Sequence, residues 1–365
     1  MSTEILAAVA REGRKEFSVE TVTLRDPDEA DVVVEIAASA FCYSDWIAID
    51  GDAERRVPGI RPIVLGHSAV GTVVDRGPEG RHRIGQRVLI TATPECGECF
   101  WCASGRIDQC EKLFVPAPVT ATLHDGLELR APGHSGTYAE ATVIRAMQVF
   151  PVDSGLPDEW LAMFGCGIVS GMGAVVNVGR VEPGSSVVVV GCGQIGLWMI
   201  QAARIRGAAR IIAVEPLAHR RAVAARVGAT DVIDPTGIDV AAAVKELTEG
   251  RGADYGFDAG GTLDAVRDTF LATRNGGVTV LTSYVERWSE VSLPLFDLAL
   301  RGRDVRSSQS GRLDMTRDIA QFTRMLESGA VDVDAMLGGI RPLADINAAL
   351  AASRDRAEVT PIVVP

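Results

Sequence analysis

The chain has 365 residues, of which 47 % are hydrophobic and 23 % charged. That length exceeds one ordinary core, so two domains are expected. A net charge of −12 argues against a nucleic-acid backbone or an anionic membrane as partner.

The N-terminal stretch has no basic start followed by an apolar run, so no secretory signal is read there and a cytoplasmic protein is expected. The first 150 residues read mostly as β, with short runs such as 32–36 and 71–74 punctuated by glycine and proline. Two uncharged runs, 160–179 and 183–203, are long enough to cross a bilayer. Their glycines, and the strand-like 187–190, fit a buried helix and a buried strand–turn–helix better.

From about Leu161 strands and helices alternate. Strands are predicted at 187–190, 211–215, 231–234, 255–259 and 278–282, with helices at 197–207, 220–227, 240–247 and 263–272. That alternation predicts an α/β fold with a doubly wound parallel sheet. After Arg303 one more helix, 315–326, and a short mixed tail are expected.

Four of the seven cysteines fall within fifteen residues, as Cys96-x2-Cys99-x2-Cys102-x7-Cys110. In a reducing compartment, clustered cysteines are more often metal ligands than disulfides. A thioredoxin-like CxxC needs only two, and an iron–sulfur site is a weaker alternative to structural zinc. Cys42 and Cys166 lie far apart, each on a segment that reads as an active-site element. Two kinds of zinc site are therefore expected: a closed four-cysteine site, and a three-ligand site with one position open. Cys192 reads as a small apolar side chain.

Gly191-Cys192-Gly193-Gln194-Ile195-Gly196 is a complete G-x-G-x-x-G between a valine strand and a helix, with Glu215 nineteen residues past Gly196. Such a turn brings backbone and a helix N-terminus to a pyrophosphate. A carboxylate at Glu215 can accept from both ribose hydroxyls and repels a 2′-phosphate, which favours NAD(H) over NADP(H). Arg220 and Arg221 keep the phosphorylated cofactor open.

Taken together, Cys42-Tyr43-Ser44-Asp45, Gly66-His67-Ser68-Ala69-Val70-Gly71, the four-cysteine lobe, Phe164-Gly165-Cys166-Gly167 and the glycine turn resemble the zinc-dependent medium-chain alcohol dehydrogenases of the medium-chain dehydrogenase/reductase superfamily. The likeness covers nearly the full length. It implies a GroES-like β-rich catalytic domain at 1–167, with a structural-zinc lobe at about 94–112. A Rossmann domain at 168–305 and a return to the catalytic domain at 306–365 complete it. It implies a catalytic zinc on Cys42, His67 and Cys166, and a second zinc on the four clustered cysteines. Ser44 matches the hydroxyl that touches the alcohol oxygen, and Asp45 the carboxylate that orients the histidine. Ser170 lies near the expected nicotinamide position, and Arg220 matches the basic residue at the adenosine ribose. A homodimer or homotetramer acting on a small-molecule alcohol or carbonyl is implied.

Four positions depart from that pattern. Ser68 replaces a glutamate after the histidine ligand, Ile47 a relay histidine, Tyr43 a basic residue near the pyrophosphate, and Ala92 an aromatic that narrows the pocket. Phe41 and Trp46 read equally as pocket lining or as core. These departures keep open an NAD(P)H-dependent ene or iminium reductase. A non-catalytic zinc- and NAD-binding protein, and an enzyme whose NAD never leaves, are further alternatives.

Overall fold

The computed structural model describes residues 3–52, 55, 57–282 and 289–365. Two compact units emerge: Met1–Cys166 with Leu337–Pro365, and Gly167–Met336.

The first unit is β-rich. Strands β1 (Glu4–Ala10), β2 (Phe17–Leu24), β4 (Ile63–Val64), β7 (Val119–Leu123) and β8 (Glu128–Arg130) close a small barrel. Its wall encloses Val9, Val22, Val64, Ala121 and Leu129, each at most 1 % exposed. A second sheet runs β10 (Val149–Pro151), β6 (Arg87–Thr91), β5 (Ser68–Arg76), β3 (Asp31–Ala40), β18 (Thr360–Val364) and β17 (Leu337–Pro342), with β9 (Ala141–Arg145) also paired to β3. The two ends of β3 and β5 that face the ligand segments carry Ala40 and Ser68.

The second unit holds a six-stranded sheet in the order β13 (Asp231–Ile233), β12 (Arg210–Val214), β11 (Ser186–Val190), β14 (Ala253–Asp258), β15 (Thr273–Leu281) and β16 (Asp304–Ser307). Every adjacent pair is parallel. In chain order this is 3-2-1-4-5-6, the dinucleotide-binding arrangement. Parallel strands are covered on both faces and read as continuous apolar runs. Val187, Val188 and Val189 are fully buried accordingly.

Two expectations need correction. Residues 306–336 belong to the second unit, not to a return into the first. Helix Met315–Glu327 buries Met315, Asp318, Phe322 and Leu326. The buried Asp318 carboxylate accepts from Asn177 Nδ2 at 3.4 Å, and Gln201 Oε1 accepts from Asp332 N at 2.6 Å. Those bonds fasten the segment to the Rossmann side. The tail also contains a second helix, Ile346–Arg354, which buries Ile346, Ala349, Leu350 and Ser353. That spacing of 3, 1 and 3 is a helix face, and it went unread among the alanines.

The helical stretch Asp158–Gly179 is long and apolar enough to cross a membrane, yet 83 % of its most apolar window is buried inside the protein, as a core helix requires.

Candidate active site

Three separate segments of the first unit deliver Cys42, His67 and Cys166 to one place. Cys42 follows β3 and caps helix Tyr43–Ile47. His67 precedes β5 and follows Gly66, whose φ is +89°. A Cβ at Gly66 would stand 2.4 Å from Thr137 Oγ1 and 2.9 Å from Tyr138 N. Only glycine fits that turn, so the turn fixes where the imidazole emerges. Cys166 sits in the π-turn Phe164–Ile168, a distortion frequent at functional sites.

The Cys166 segment is tethered from both neighbouring strands. Ser68 Oγ donates to Ala162 O at 2.6 Å, and Thr91 Oγ1 donates to Gly165 O at 2.8 Å. A Cβ at Gly165 would lie 2.0 Å from Ile90 O, so glycine is again needed for the close approach. Ser68, which stands where a carboxylate was expected, is fully buried and committed to this bond.

The ligand atoms of Cys42, His67 and Cys166 all lie within 4.8 Å of one another. Cys166 Sγ is 3.9 Å from Cys42 Sγ. Two sulfurs bound tetrahedrally to zinc at about 2.3 Å would be about 3.8 Å apart. The donor set of two thiols and an imidazole therefore fits zinc in both chemistry and spacing. The Cys166 thiol donates to the Cys42 sulfur and, with help from His67, holds Cys42 well below the usual thiol range. Cys166, the donor, is pushed up by that bond and by burial. Burial alone would lower His67, but the Asp45 carboxylate and Cys42 outweigh it and raise the imidazole well above its ordinary value.

Asp45 is buried beneath the histidine. Its Oδ1 lies 3.3 Å from His67 Nδ1, which places the proton on Nδ1 and leaves Nε2 for a metal. Its Oδ2 accepts from Cys42 N at 3.1 Å and from the Tyr138 hydroxyl at 2.7 Å. Tyr138 was not singled out from the sequence. It lies 93 residues from Asp45 in no recognisable motif; the only hint was a phenol in an apolar β context, which needs a partner when buried. Ser44 lies half-buried on the turn after Cys42. Phe41 belongs to the core: it is 2 % exposed and stacks on Tyr138 at 5.2 Å. Trp46 packs against the same core. Ala92 and Gly133 flank His67, since a Cβ on Gly133 would lie 3.8 Å from Ala92 Cβ and 4.0 Å from His67 Cβ.

Cys96, Cys99, Cys102 and Cys110 also meet, with their sulfurs within 4.8 Å of one another and Cys96 Sγ 3.8 Å from Cys102 Sγ. Cys99 N points at Cys96 Sγ (3.4 Å) and Cys102 N at Cys99 Sγ (3.5 Å). Such N–H···S contacts favour thiolates. With the amides of Cys102 and Glu111 aimed at it, Cys99 is lowered to about 6, whereas burial pushes Cys102 up to about 12. This spacing too suits a tetrahedral zinc.

In the second unit the glycine turn joins β11 to helix Gln194–Ile205. Gly191 has φ +94°, and a Cβ there would lie 2.5 Å from Ala259 O. A Cβ on Gly196 would lie 1.9 Å from Gly191 O, whereas Gly193 faces open space with only Arg220 Nη1 nearby at 3.7 Å. The turn is thus tight at its first and third glycines and accessible at its second, the pattern a pyrophosphate cradle needs. Gln194 Nε2 is buried without a hydrogen-bond partner among the described residues, a donor that a bound dinucleotide could satisfy; Ile195 follows it in the first turn. Glu215 directly follows β12 and is 4 % exposed, its carboxylate accepting from Cys192 N at 2.8 Å and Leu217 N at 3.0 Å. Arg221 is committed to Glu215 O and Pro216 O and to Asp234. Ser170 lies buried in helix Val169–Gly173.

Comparison with known proteins agrees with this geometry. Residues 28–154 match the family described as alcohol dehydrogenase GroES-like domain, and residues 195–328 that described as zinc-binding dehydrogenase. An S-(hydroxymethyl)glutathione dehydrogenase of Paracoccus denitrificans is 31 % identical over 93 % of this chain and 94 % of its own. The crystal structure of an alcohol dehydrogenase zinc-binding domain protein from Burkholderia ambifaria superposes with a TM-score of 0.93, at 29 % identity and full coverage of both chains. Benzyl alcohol dehydrogenase from Acinetobacter calcoaceticus gives a TM-score of 0.90, at 26 % identity over 99 % of each chain. Fold, sequence and donor geometry converge on one assignment: the chain belongs to the zinc-binding alcohol dehydrogenases of the medium-chain dehydrogenase/reductase superfamily, a family of oxidoreductases.

Proposed function

We propose that this protein transfers a hydride between an alcohol, or the corresponding aldehyde or ketone, and NAD(H), using one catalytic and one structural zinc per chain. The observation that carries the reading is the convergence of Cys42, His67 and Cys166 within 4.8 Å as a group of three. Three protein ligands leave a tetrahedral ion one position for substrate, whereas the four-cysteine site is closed. When bound there, zinc supplies a Lewis acid that makes an alcohol more acidic or a carbonyl more electrophilic.

The chain's own residues do the rest. Asp45 fixes the ring and tautomer of His67. Ser44 takes the hydroxyl proton of the alcohol; with Ile47 in place of a relay histidine, that proton passes on to water or to a ribose hydroxyl of the cofactor. Gly191, Gly193 and Gly196 with the helix N-terminus receive the pyrophosphate, Glu215 the adenosine ribose, and Arg220 flanks that end. Ser170 contributes near the nicotinamide. Ala92 and Gly133 bring no bulk to the flank of His67, which favours a substrate with a large substituent, such as an aryl alcohol. A cytoplasmic homodimer or homotetramer is the assembly we propose, supported by β16, which pairs on one side only among the described residues.

The test follows nicotinamide absorbance across aliphatic and aryl alcohols, their aldehydes, conjugated enals and imines. Turnover of alcohols or carbonyls that is lost in a folded Cys42→Ala variant supports the reading. Turnover restricted to C=C or C=N substrates would favour the reductase alternative, for which Ser68 and Ile47 are the arguments. Tight NAD binding with no turnover would leave a binding protein.

A further inference from the structure

We infer that Tyr138 is a positioning residue for the metal-binding histidine, acting through Asp45; the inference rests on reading Cys42, His67 and Cys166 as a zinc site. The Tyr138 side chain is fully buried. Its hydroxyl donates to Asp45 Oδ2 at 2.7 Å, the shortest of the contacts to that carboxylate. Cys42 N shares the same oxygen at 3.1 Å, while Oδ1 faces His67 Nδ1 at 3.3 Å and Gly66 N at 3.4 Å. Donors on both oxygens fix the carboxylate plane, and with it the oxygen presented to the imidazole.

The phenol itself is held rigidly. Its ring stacks on Phe41, with centroids 5.2 Å apart and an 8° interplanar angle, and meets the edge of Phe17 at 6.0 Å. Its backbone N–H donates to Leu65 O at 3.0 Å, and its carbonyl accepts from Ala8 N at 2.8 Å. Phenylalanine would satisfy all of that packing. What tyrosine adds is one hydroxyl, and a buried hydroxyl costs free energy unless it finds a partner. The alternative acceptor, Ala40 O, lies at 3.4 Å, so the bond to Asp45 is the one that counts. Tyr138 thus holds the Asp45 carboxylate in place, and through it the His67 ring, aimed with Nε2 toward the ligand cluster, a second step outward from the ligand itself.

The test uses Tyr138→Phe in the full-length zinc-loaded protein, with zinc affinity read by chelator competition and the site's electronic spectrum read after cobalt substitution. Loss of a group bonded directly to a ligand typically weakens metal binding 10- to 100-fold. Acting one bond further out, Tyr138→Phe is expected to weaken the three-ligand site by about 10-fold. The cobalt bands of that site should shift, and the four-cysteine site, an internal control, should keep its affinity. Unchanged affinity and spectrum at the three-ligand site would overturn the inference. Phe17→Leu loosens the same packing but keeps the hydroxyl; if it weakens zinc as much as Tyr138→Phe, packing is responsible and the inference also falls. Asp45→Asn separates the two levels. Weaker zinc in Asp45→Asn with wild-type binding in Tyr138→Phe would refute only the role of the tyrosine, whereas zinc content unaltered in a folded Cys42→Ala variant would undo the metal-site reading beneath it.

Discussion

Cofactor choice should turn on Glu215, and the structure shows why the substitution must be chosen with care. Glu215 is only 4 % exposed, and its carboxylate accepts from the amides of Cys192 and Leu217. It therefore holds the glycine turn, in addition to the ribose contact proposed for it. Removing it entirely would leave the Cys192 amide unsatisfied, at a cost of about 1–3 kcal/mol, and would weaken both cofactors through the turn. Glu215→Gln removes the charge but keeps one acceptor oxygen. A 2′-phosphate roughly 5 Å from the carboxylate would be repelled by about 3 kcal/mol per unit charge at an effective dielectric of about 20, a factor on the order of 100. The preference for NADH over NADPH should fall by about that factor in Glu215→Gln. Fluorescence titration of each reduced cofactor measures it. The gain for NADPH has a ceiling, because Arg221 is already committed to backbone carbonyls and to Asp234. An equal loss for both cofactors would refute the electrostatic argument and leave Glu215 as a brace for the turn alone.

Three further outcomes are expected. Cys99→Ser should halve the zinc content measured by elemental analysis and lower thermal stability, while the ion on Cys42, His67 and Cys166 remains; loss of both ions would mean the sites are not independent. Gly66→Ala combines a positive φ with a Cβ 2.4 Å from Thr137 Oγ1 and 2.9 Å from a backbone nitrogen. It should cost more than about 2 kcal/mol in urea unfolding and empty the three-ligand site, and near-wild-type stability would contradict the geometry. Glu358, whose carboxyl Arg341 holds below the usual carboxylate range despite partial burial, contributes stability above about pH 4.3 that is lost as pH falls through its lowered value. The stability gap between wild type and Glu358→Gln should therefore close below about pH 4, and a gap constant down to acid unfolding would exclude that ion pair as its source.

The parts that could be read from the sequence were those whose chemistry is local. Val187–Val190 announces itself because a strand covered on both faces has no polar alternation, although the helix that follows begins at Gln194, right after the second glycine of the turn and three residues before the start read from the pattern. Cys96, Cys99, Cys102 and Cys110 declare a metal by spacing alone, because their shared loop is short. Relations between distant segments were harder to see. Helix Met315–Glu327 shows its apolar face in sequence, but nothing in that face says which unit it covers; the bonds of Asp318 to Asn177 and of Asp332 to Gln201 decide it. Tyr138 is invisible for the same reason, being tied to Asp45 across 93 residues.

Ser68 shows how a position can be read correctly as a departure and still be misjudged in kind. From the sequence it is a missing negative charge beside the histidine ligand. In the fold it is a buried donor to Ala162 O, working with Thr91 on Gly165 O to hold the turn that carries Cys166. The residue after one ligand thus anchors the segment of another. A glutamate in the same fully buried place would lose that bond and bring a charge needing its own partner, at a cost of several kcal/mol. With neutral hydroxyls fixing the Cys166 side, Asp45 is the carboxylate that faces the ligand group, through its contact with His67 Nδ1 and through its charge on Cys42 and Cys166. For the proposed zinc, polarising strength then depends in part on how firmly Asp45 accepts from the imidazole, so the donors on its other oxygen, Cys42 N and the Tyr138 hydroxyl, bear on reactivity as well as on packing.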